Sequence, residues 1–134
     1  MTGVSPPKAW GPFDVHLRWT DFDRYGHVNN AAYVTLLEIV RERFLLDRLG
    51  SVPHFVVARL EVDFQREIRD DVTGVDGFVR PERLGRSSVL LSESLVLPDG
   101  AVAAEARTTM VLWDEVTRSG RPLTVAERAA LQPA

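Results

Sequence analysis

From Asp14 to Trp19 apolar and polar residues alternate, with Val15, Leu17 and Trp19 on one face, which is the period of a half-buried strand. Thr20 to Gly26 (TDFDRYG) is polar and ends in glycine, so a loop follows. The period then changes. Ala31, Ala32, Tyr33, Leu36, Leu37, Val40, Phe44 and Leu45 recur at spacings of three and four, the mark of a helix. Asn29 is a good N-cap and Gly50 a good stop, and Arg41, Arg43 and Arg48 lie toward the end where cations suit the helix dipole. The predicted span, near Asn30–Arg48, gives ~28 Å of helix. Val34, Ile39, Leu46 and Leu49 widen the apolar surface beyond one stripe, which predicts a helix mostly wrapped by the rest of the chain.

After Pro53 the pattern is that of strands. Phe55 to Ile68 alternates, with Val56, Ala58, Leu60, Val62 and Phe64 on one side. Val72 to Arg80 reads as a shorter strand interrupted by Gly74 and Gly77, and Leu84 to Leu97 as a long one. Pro98-Asp99-Gly100 makes a turn, because proline fixes φ and glycine accepts a positive φ, and Ala101 to Trp113 returns to complete a hairpin. Thr124 and Glu127 form a capping box for a short helix through Leu131. The order is one strand, one long helix, then four strands. It predicts an α+β fold: a five-stranded antiparallel sheet wrapped around one long central helix, in a single domain over residues 1–134. Ser5-Pro6-Pro7 and Gly11-Pro12 mark residues 1–12 as a flexible lead-in. The repeated strand–helix units of a Rossmann or barrel fold are missing.

Composition narrows the chemistry. At 134 residues, 45% hydrophobic and 26% charged, the chain is neither disordered nor fibrous. Its net charge of −3 argues against nucleic acid as a partner. Cys is 0, which removes disulfides, thiolate zinc sites and a cysteine nucleophile. The lack of cysteine, of a signal-peptide pattern and of a ~18–20-residue apolar run fits a cytoplasmic protein without a membrane partner.

The dense region is Thr20 to Tyr33, TDFDRYGHVNNAAY, which gathers Asp21, Asp23, His27, Asn29, Asn30 and Tyr33 between a strand and a helix start. With Asn29 as N-cap accepting from Ala31 or Ala32, the Asn30 N–H stays free along the helix axis, where it can hold an oxyanion. A carboxylate on the preceding loop beside such a donor is an arrangement for hydrolysis. The bland alternative is a polar connection followed by a well-capped helix. Other constellations weigh less. Asp21, Asp23 and Gly26 start like an EF-hand, but Tyr25 stands at a ligand position and Ala32 where the closing Glu belongs. His16, His27 and His54 lack metal-ligand spacing. Gly85-Arg86-Ser87-Ser88 lacks the lysine of a phosphate-binding loop. Glu38, Arg41 and Glu42 read as an ion-pair cluster on the helix.

The run Asp21-Phe22-Asp23-Arg24-Tyr25-Gly26-His27-Val28-Asn29-Asn30-Ala31-Ala32-Tyr33 resembles the D-x-D-x-x-G-H-V-N-N-x-x-Y signature of hotdog-fold acyl-CoA thioesterases of the 4-hydroxybenzoyl-CoA thioesterase-like family. The likeness continues through Leu37-Glu38, Arg41, Val62-Asp63-Phe64, Arg66, Gly85–Ser88 and Ala104–Arg107, and covers about residues 14–131. Arg66-Glu67 and Asp70-Asp71 depart from the Arg-Pro and Gly-Asp the family often carries.

The resemblance implies hydrolysis of an acyl-CoA thioester to the free acid and coenzyme A. Asp23 would be the catalytic carboxylate, as nucleophile or general base, the Asn30 backbone N–H the oxyanion donor, and His27 a supporting, orienting group. Asn29, Tyr33 and Leu37 would border the substrate, with an apolar acyl pocket near Tyr33 and Leu37. No cofactor or metal is expected, coenzyme A entering only as part of the substrate. A homodimer or homotetramer is implied. An acyl-carrier-protein thioesterase and a non-catalytic acyl-thioester binding module remain open alternatives. A hotdog hydratase or dehydratase is disfavoured, since Asp23 and His27 are one residue too close for its Asp–His pair.

Overall fold

The structure is a computed structural model that describes residues 9–133. The strands are β1 (Trp10–His16), β2 (Phe55–Phe64), β3 (Gly74–Leu84), β4 (Ser88–Val96), β5 (Val102–Asp114) and the two-residue β6 (Ser119–Gly120), and the helices are α1 (Asn30–Leu49) and α2 (Val125–Ala130). The sheet is antiparallel throughout, in the order β1-β3-β4-β5-β2, with β6 added to β5. The strands on either side of α1 in the chain occupy opposite edges of the sheet, so α1 must cross it. Leu36, Leu37, Val40, Phe44 and Leu45 of α1 are buried against Val79, Val89, Leu91, Leu95, Met110 and Leu112 of the sheet. One main helix lying on an antiparallel sheet is the expected hotdog arrangement.

Asn29 caps α1 and Gly50 ends it in the left-handed conformation at φ 77°, as the sequence predicts. Several strand limits move, each for a physical reason. β1 begins at Trp10, inside the predicted lead-in, and ends before Trp19. Trp19 belongs instead to a 3₁₀ turn and is 86% exposed, because the chain leaves the sheet at Leu17. Residues 1–8 of the lead-in lie outside the described residues. β3 runs through Pro81 to Leu84, with the register shift between Pro81 and Arg83 absorbing the irregularity, and a tight turn at Gly85–Ser88 divides it from β4. In β2 a register shift between Val57 and Arg59 changes the facing. Val57 pairs with Met110 and Leu60 with Thr108, so Val57 rather than Val56 shares the inner face with Leu60, Val62 and Phe64.

Gly77, an interruption of its strand by sequence, is instead the place where α1 comes closest: a Cβ there would lie 2.2 Å from Val40 Cγ2. The helix is less enclosed than its apolar pattern suggests, with Val34 36% and Leu46 52% exposed, because a single curled sheet covers only one of its sides.

Arg41 corrects the predicted ion-pair cluster. It turns inward, away from Glu38 and Glu42, which are exposed. Its Nε donates to Glu93 Oε2 at 2.7 Å and its Nη2 to Glu93 Oε1 at 2.9 Å and to Thr108 Oγ1 at 3.1 Å, while Thr108 Oγ1 donates to Glu93 Oε1 at 2.7 Å. All three side chains are buried, and they join α1, β4 and β5 at one point. Two desolvated charges hold together only while both are present. Glu93→Ala is therefore expected to cost about 3–5 kcal/mol in urea unfolding, and Arg41→Met with Glu93→Leu to recover most of that loss.

α2 closes the other end of the molecule. Its capping box forms as predicted, Glu127 N–H donating to Thr124 Oγ1 at 3.0 Å and Thr124 N–H to Glu127 Oε1 at 2.8 Å. Arg121 adds two bonds to the same carboxylate, both 2.8 Å. The Arg121 bonds outweigh the cost of burial and, with those from Thr124, push the Glu127 carboxyl from an ordinary 4.5 down to about 2. A lowered folded-state pKa stabilises above the unfolded value and loses that contribution as pH falls toward the folded one. Glu127→Gln should cost about 1.5–3 kcal/mol at neutral pH. The gap to wild type should narrow as pH drops below 4.5 and close near about 2, as read by thermal unfolding across that range.

Candidate active site

Residues 22–28 form a tight hairpin that runs directly into α1. Phe22 and Val28 make an isolated antiparallel bridge, and Asp23 N–H donates to His27 O at 2.9 Å. Gly26 N–H closes the turn on Asp23 O at 3.2 Å, with Gly26 at φ 78°, where a side chain would be strained. Backbone bonds tie the hairpin to its surroundings. Asn29 N–H donates to Asp21 O at 2.9 Å, Val28 N–H to Ile68 O at 2.8 Å and Asp70 N–H to Gly26 O at 3.0 Å, while His27 bridges Arg69.

The two aspartates of the D-x-D motif have different surroundings. Asp21 is buried and commits its carboxylate to its own turn: Oδ2 accepts from Arg18 N–H and Oδ1 from Arg18 Nη2, both at 2.8 Å. Burial works against ionisation, but the Arg18 bonds outweigh it and hold the Asp21 carboxyl below its ordinary range. Asp23 sits nearer the surface, its side chain 21% exposed. Its Oδ1 accepts from Tyr25 N–H at 2.9 Å, and its Oδ2 lies 3.5 Å from His27 Nδ1. That nitrogen is also 3.3 Å from Val28 O. His27 thus stands beside the Asp23 carboxylate, in a place to orient it. The exposed ring of Tyr25, which the sequence did not single out, stacks 6.0 Å from His27 and carries the Arg24 guanidinium 4.9 Å from its centroid.

At the helix start Asn29 Oδ1 accepts from Ala31 N–H at 2.8 Å, and Ala32 N–H turns back to Asn29 O at 2.9 Å. Among the described residues the Asn30 N–H has no hydrogen-bond acceptor. The side chains of Asn29 and Asn30 are exposed. Asp23 and His27 lie on the hairpin and the Asn30 N–H at the start of the helix into which it runs. Glu38, exposed on α1, lies about two turns past Asn30, ~12 Å up the axis.

Tyr33 and Leu37 lie in the core, 3% and 0% exposed. The Tyr33 hydroxyl donates to Arg66 O at 2.9 Å and accepts from Ile68 N–H at 3.1 Å, and its ring meets Phe64 edge-on at 5.1 Å. Burial pushes the phenol pKa up. The segment 66–70 is marked in the sequence only by its departures at Arg66-Glu67 and Asp70-Asp71. It acts through backbone atoms, which leave no side-chain signature.

The chain matches the family model described as Thioesterase-like superfamily over residues 17–134. Among solved structures it is similar to a thioesterase from Thermus thermophilus complexed with coenzyme A and zinc. That pair is 34% identical with a TM-score of 0.75, and 90% of each chain is covered. A candidate acyl-CoA thioesterase from Xanthomonas campestris is 29% identical at a TM-score of 0.72, with 85% of this chain and 99% of that one covered. A candidate thioesterase from Escherichia coli is 27% identical at 0.70, with 90% and 95% covered. Among curated proteins none matches. Among the described residues no group of three or more His, Asp or Glu side chains is placed to hold a metal such as that zinc. A match over nearly the whole chain, joined to the antiparallel sheet, its crossing helix and the D-x-D hairpin, leads to one conclusion: the chain belongs to the Thioesterase-like superfamily and is a hotdog-fold thioester hydrolase.

Proposed function

We propose that the protein hydrolyses an acyl-CoA thioester at the 22–30 surface, with Asp23 as the catalytic carboxylate and the Asn30 backbone N–H as the oxyanion donor. The observation that carries this reading is the free Asn30 N–H at a helix start that the Asp23 hairpin runs into. The thioester oxygen accepts that N–H, where the helix dipole favours negative charge. Asp23 then takes a proton from the attacking water, or attacks the carbonyl itself. Collapse of the tetrahedral intermediate breaks the carbon–sulfur bond; in the first route Asp23 returns its proton to the leaving coenzyme A sulfur, and in the second water hydrolyses the acyl–Asp23 anhydride to the free acid and supplies the thiol proton. His27 orients the Asp23 carboxylate. The coenzyme A complex and the candidate acyl-CoA thioesterase among the similar structures support coenzyme A as the carrier.

A panel of acyl-CoAs in a free-thiol assay tests the activity, and four variants test the roles. Asp23→Asn should lower turnover by ~10²–10⁴. Retention of more than about a tenth of wild-type turnover would remove Asp23 from the role. His27→Ala should be milder. Asn30→Ala keeps the backbone N–H and should change little, whereas Asn30→Pro removes that N–H and should cost ~10²–10³. Proline suits this position. Asn30 is the first helical residue, its N–H makes no helix bond, and Asn29 has the extended conformation (φ −63°, ψ 143°) that a following proline requires. Equal activity of the alanine and proline variants would refute the oxyanion assignment. Single-turnover hydrolysis in isotopically labelled water tests the nucleophilic route: label in the Asp23 carboxylate reports an acyl–Asp23 anhydride opened at its aspartyl carbonyl, a species the general-base route never forms.

We also propose that β2 pairs edge to edge with β2 of a second copy. β2 ends the strand order, so its outer edge has no strand partner among the described residues, and Val56, Val57 and Phe64 along it are 38–49% exposed. An open, ten-residue edge that leaves three large apolar side chains exposed is a template for pairing. Light scattering at micromolar concentration should give a multiple of the 15.0 kDa chain mass; a monomer would overturn the pairing.

A further inference from the structure

We propose that Tyr33 is a positioning residue, whose hydroxyl sets the Asp23 hairpin against the start of α1 through the backbone of residues 66–70. The inference rests on the reading of Asp23 and Asn30 given above. Tyr33 stands three residues, about one turn, after Asn30, so it moves with the oxyanion donor. Its hydroxyl holds the segment at two points, donating to Arg66 O at 2.9 Å and accepting from Ile68 N–H at 3.1 Å. The segment in turn grips the hairpin at two points, Val28 N–H on Ile68 O at 2.8 Å and Asp70 N–H on Gly26 O at 3.0 Å. Ile68, fully buried, anchors the middle of the segment in the core, and Phe64 fixes the Tyr33 ring from its edge.

A packing role for Tyr33 needs only the ring. The hydroxyl does something more: it is the hydrogen-bonded side-chain link between the first turn of α1 and this segment. Removing it leaves the buried Ile68 N–H unpaired beside the core and frees Arg66 O, so the segment shifts to recover a partner for Ile68. Because the Ile68 carbonyl holds Val28, that shift reaches the hairpin and changes the aim of Asp23 relative to Asn30. Displaced geometry of this kind slows the chemical step rather than substrate binding.

The test is Tyr33→Phe, which keeps the ring and its contact with Phe64. Glu127→Gln serves as a control that loosens the remote α2 end. Amide exchange by NMR should rise at least about ten-fold at Val28 and Asp70 in Tyr33→Phe and stay unchanged there in the control. With an acyl-CoA, kcat should fall about ten-fold or more with KM within about two-fold in Tyr33→Phe alone. In the wild type, the Val28, Ile68 and Asp70 amides should show one common opening free energy once each rate is divided by its intrinsic value, a measurement that requires no variant to fold. Unchanged exchange at Val28 and Asp70 in Tyr33→Phe, differing opening free energies in the wild type, or an unchanged kcat in an active enzyme overturns the proposal. A wild type that hydrolyses no acyl-CoA overturns the substrate reading instead, and the exchange data then decide the role of Tyr33 by themselves.

Discussion

The buried contact of Arg41 with Glu93 and Thr108 is the constraint around which the protein is arranged. α1 is the element that crosses the sheet, and hydrophobic contact alone would let it slide or roll over an apolar surface. A bidentate ion pair has one good geometry and a large penalty for any other. Placed midway along α1, the pair sets the rotation and height of the helix on β4 and β5. The close approach of Val40 to Gly77 sets its distance from β3. With rotation, height and distance settled, the free end of the helix has a defined place, and Asn30 is at that end.

Local bonds then hold the 22–28 hairpin against that end of the helix. Asp21 holds the 3₁₀ turn, Gly26 allows the hairpin to close, Asn29 caps the helix, and residues 66–70 staple the hairpin from the side. The resulting division of labour separates two aspartates that are indistinguishable by spacing. Asp21 has both oxygens engaged by Arg18 in a buried turn, so it is committed to structure. Asp23 keeps a partly exposed carboxylate, held only by Tyr25 N–H and beside His27.

The same architecture explains what a single chain leaves open. One sheet covers one side of α1, and the strand order places β2 at an edge. Val34 and Leu46 on the helix and Val57 and Phe64 on β2 are therefore more exposed than their alternation suggests. Alternation reports that a residue can face an apolar surface; it does not report whether the fold of this chain supplies one.

What the sequence determined by itself is local. Helix period, the Asn29 and Gly50 caps, the Thr124–Glu127 capping box and the Pro98–Gly100 turn follow from interactions within a few residues, and the structure contains all of them. The family likeness added the topology and the candidate catalytic block. Tertiary structure decided what depends on residues far apart in the chain. Arg41 pairs with Glu93, 52 positions away, rather than with its helical neighbours, because the core offers no other route to satisfy either charge. Gly77 serves the approach of a helix, Trp19 leaves the sheet, and the shift at Val57–Arg59 exchanges the faces of β2. The grip of Tyr33 on Arg66 and Ile68 spans 33 and 35 positions and ends on backbone atoms, which every residue carries, so no pattern of side chains could have announced it.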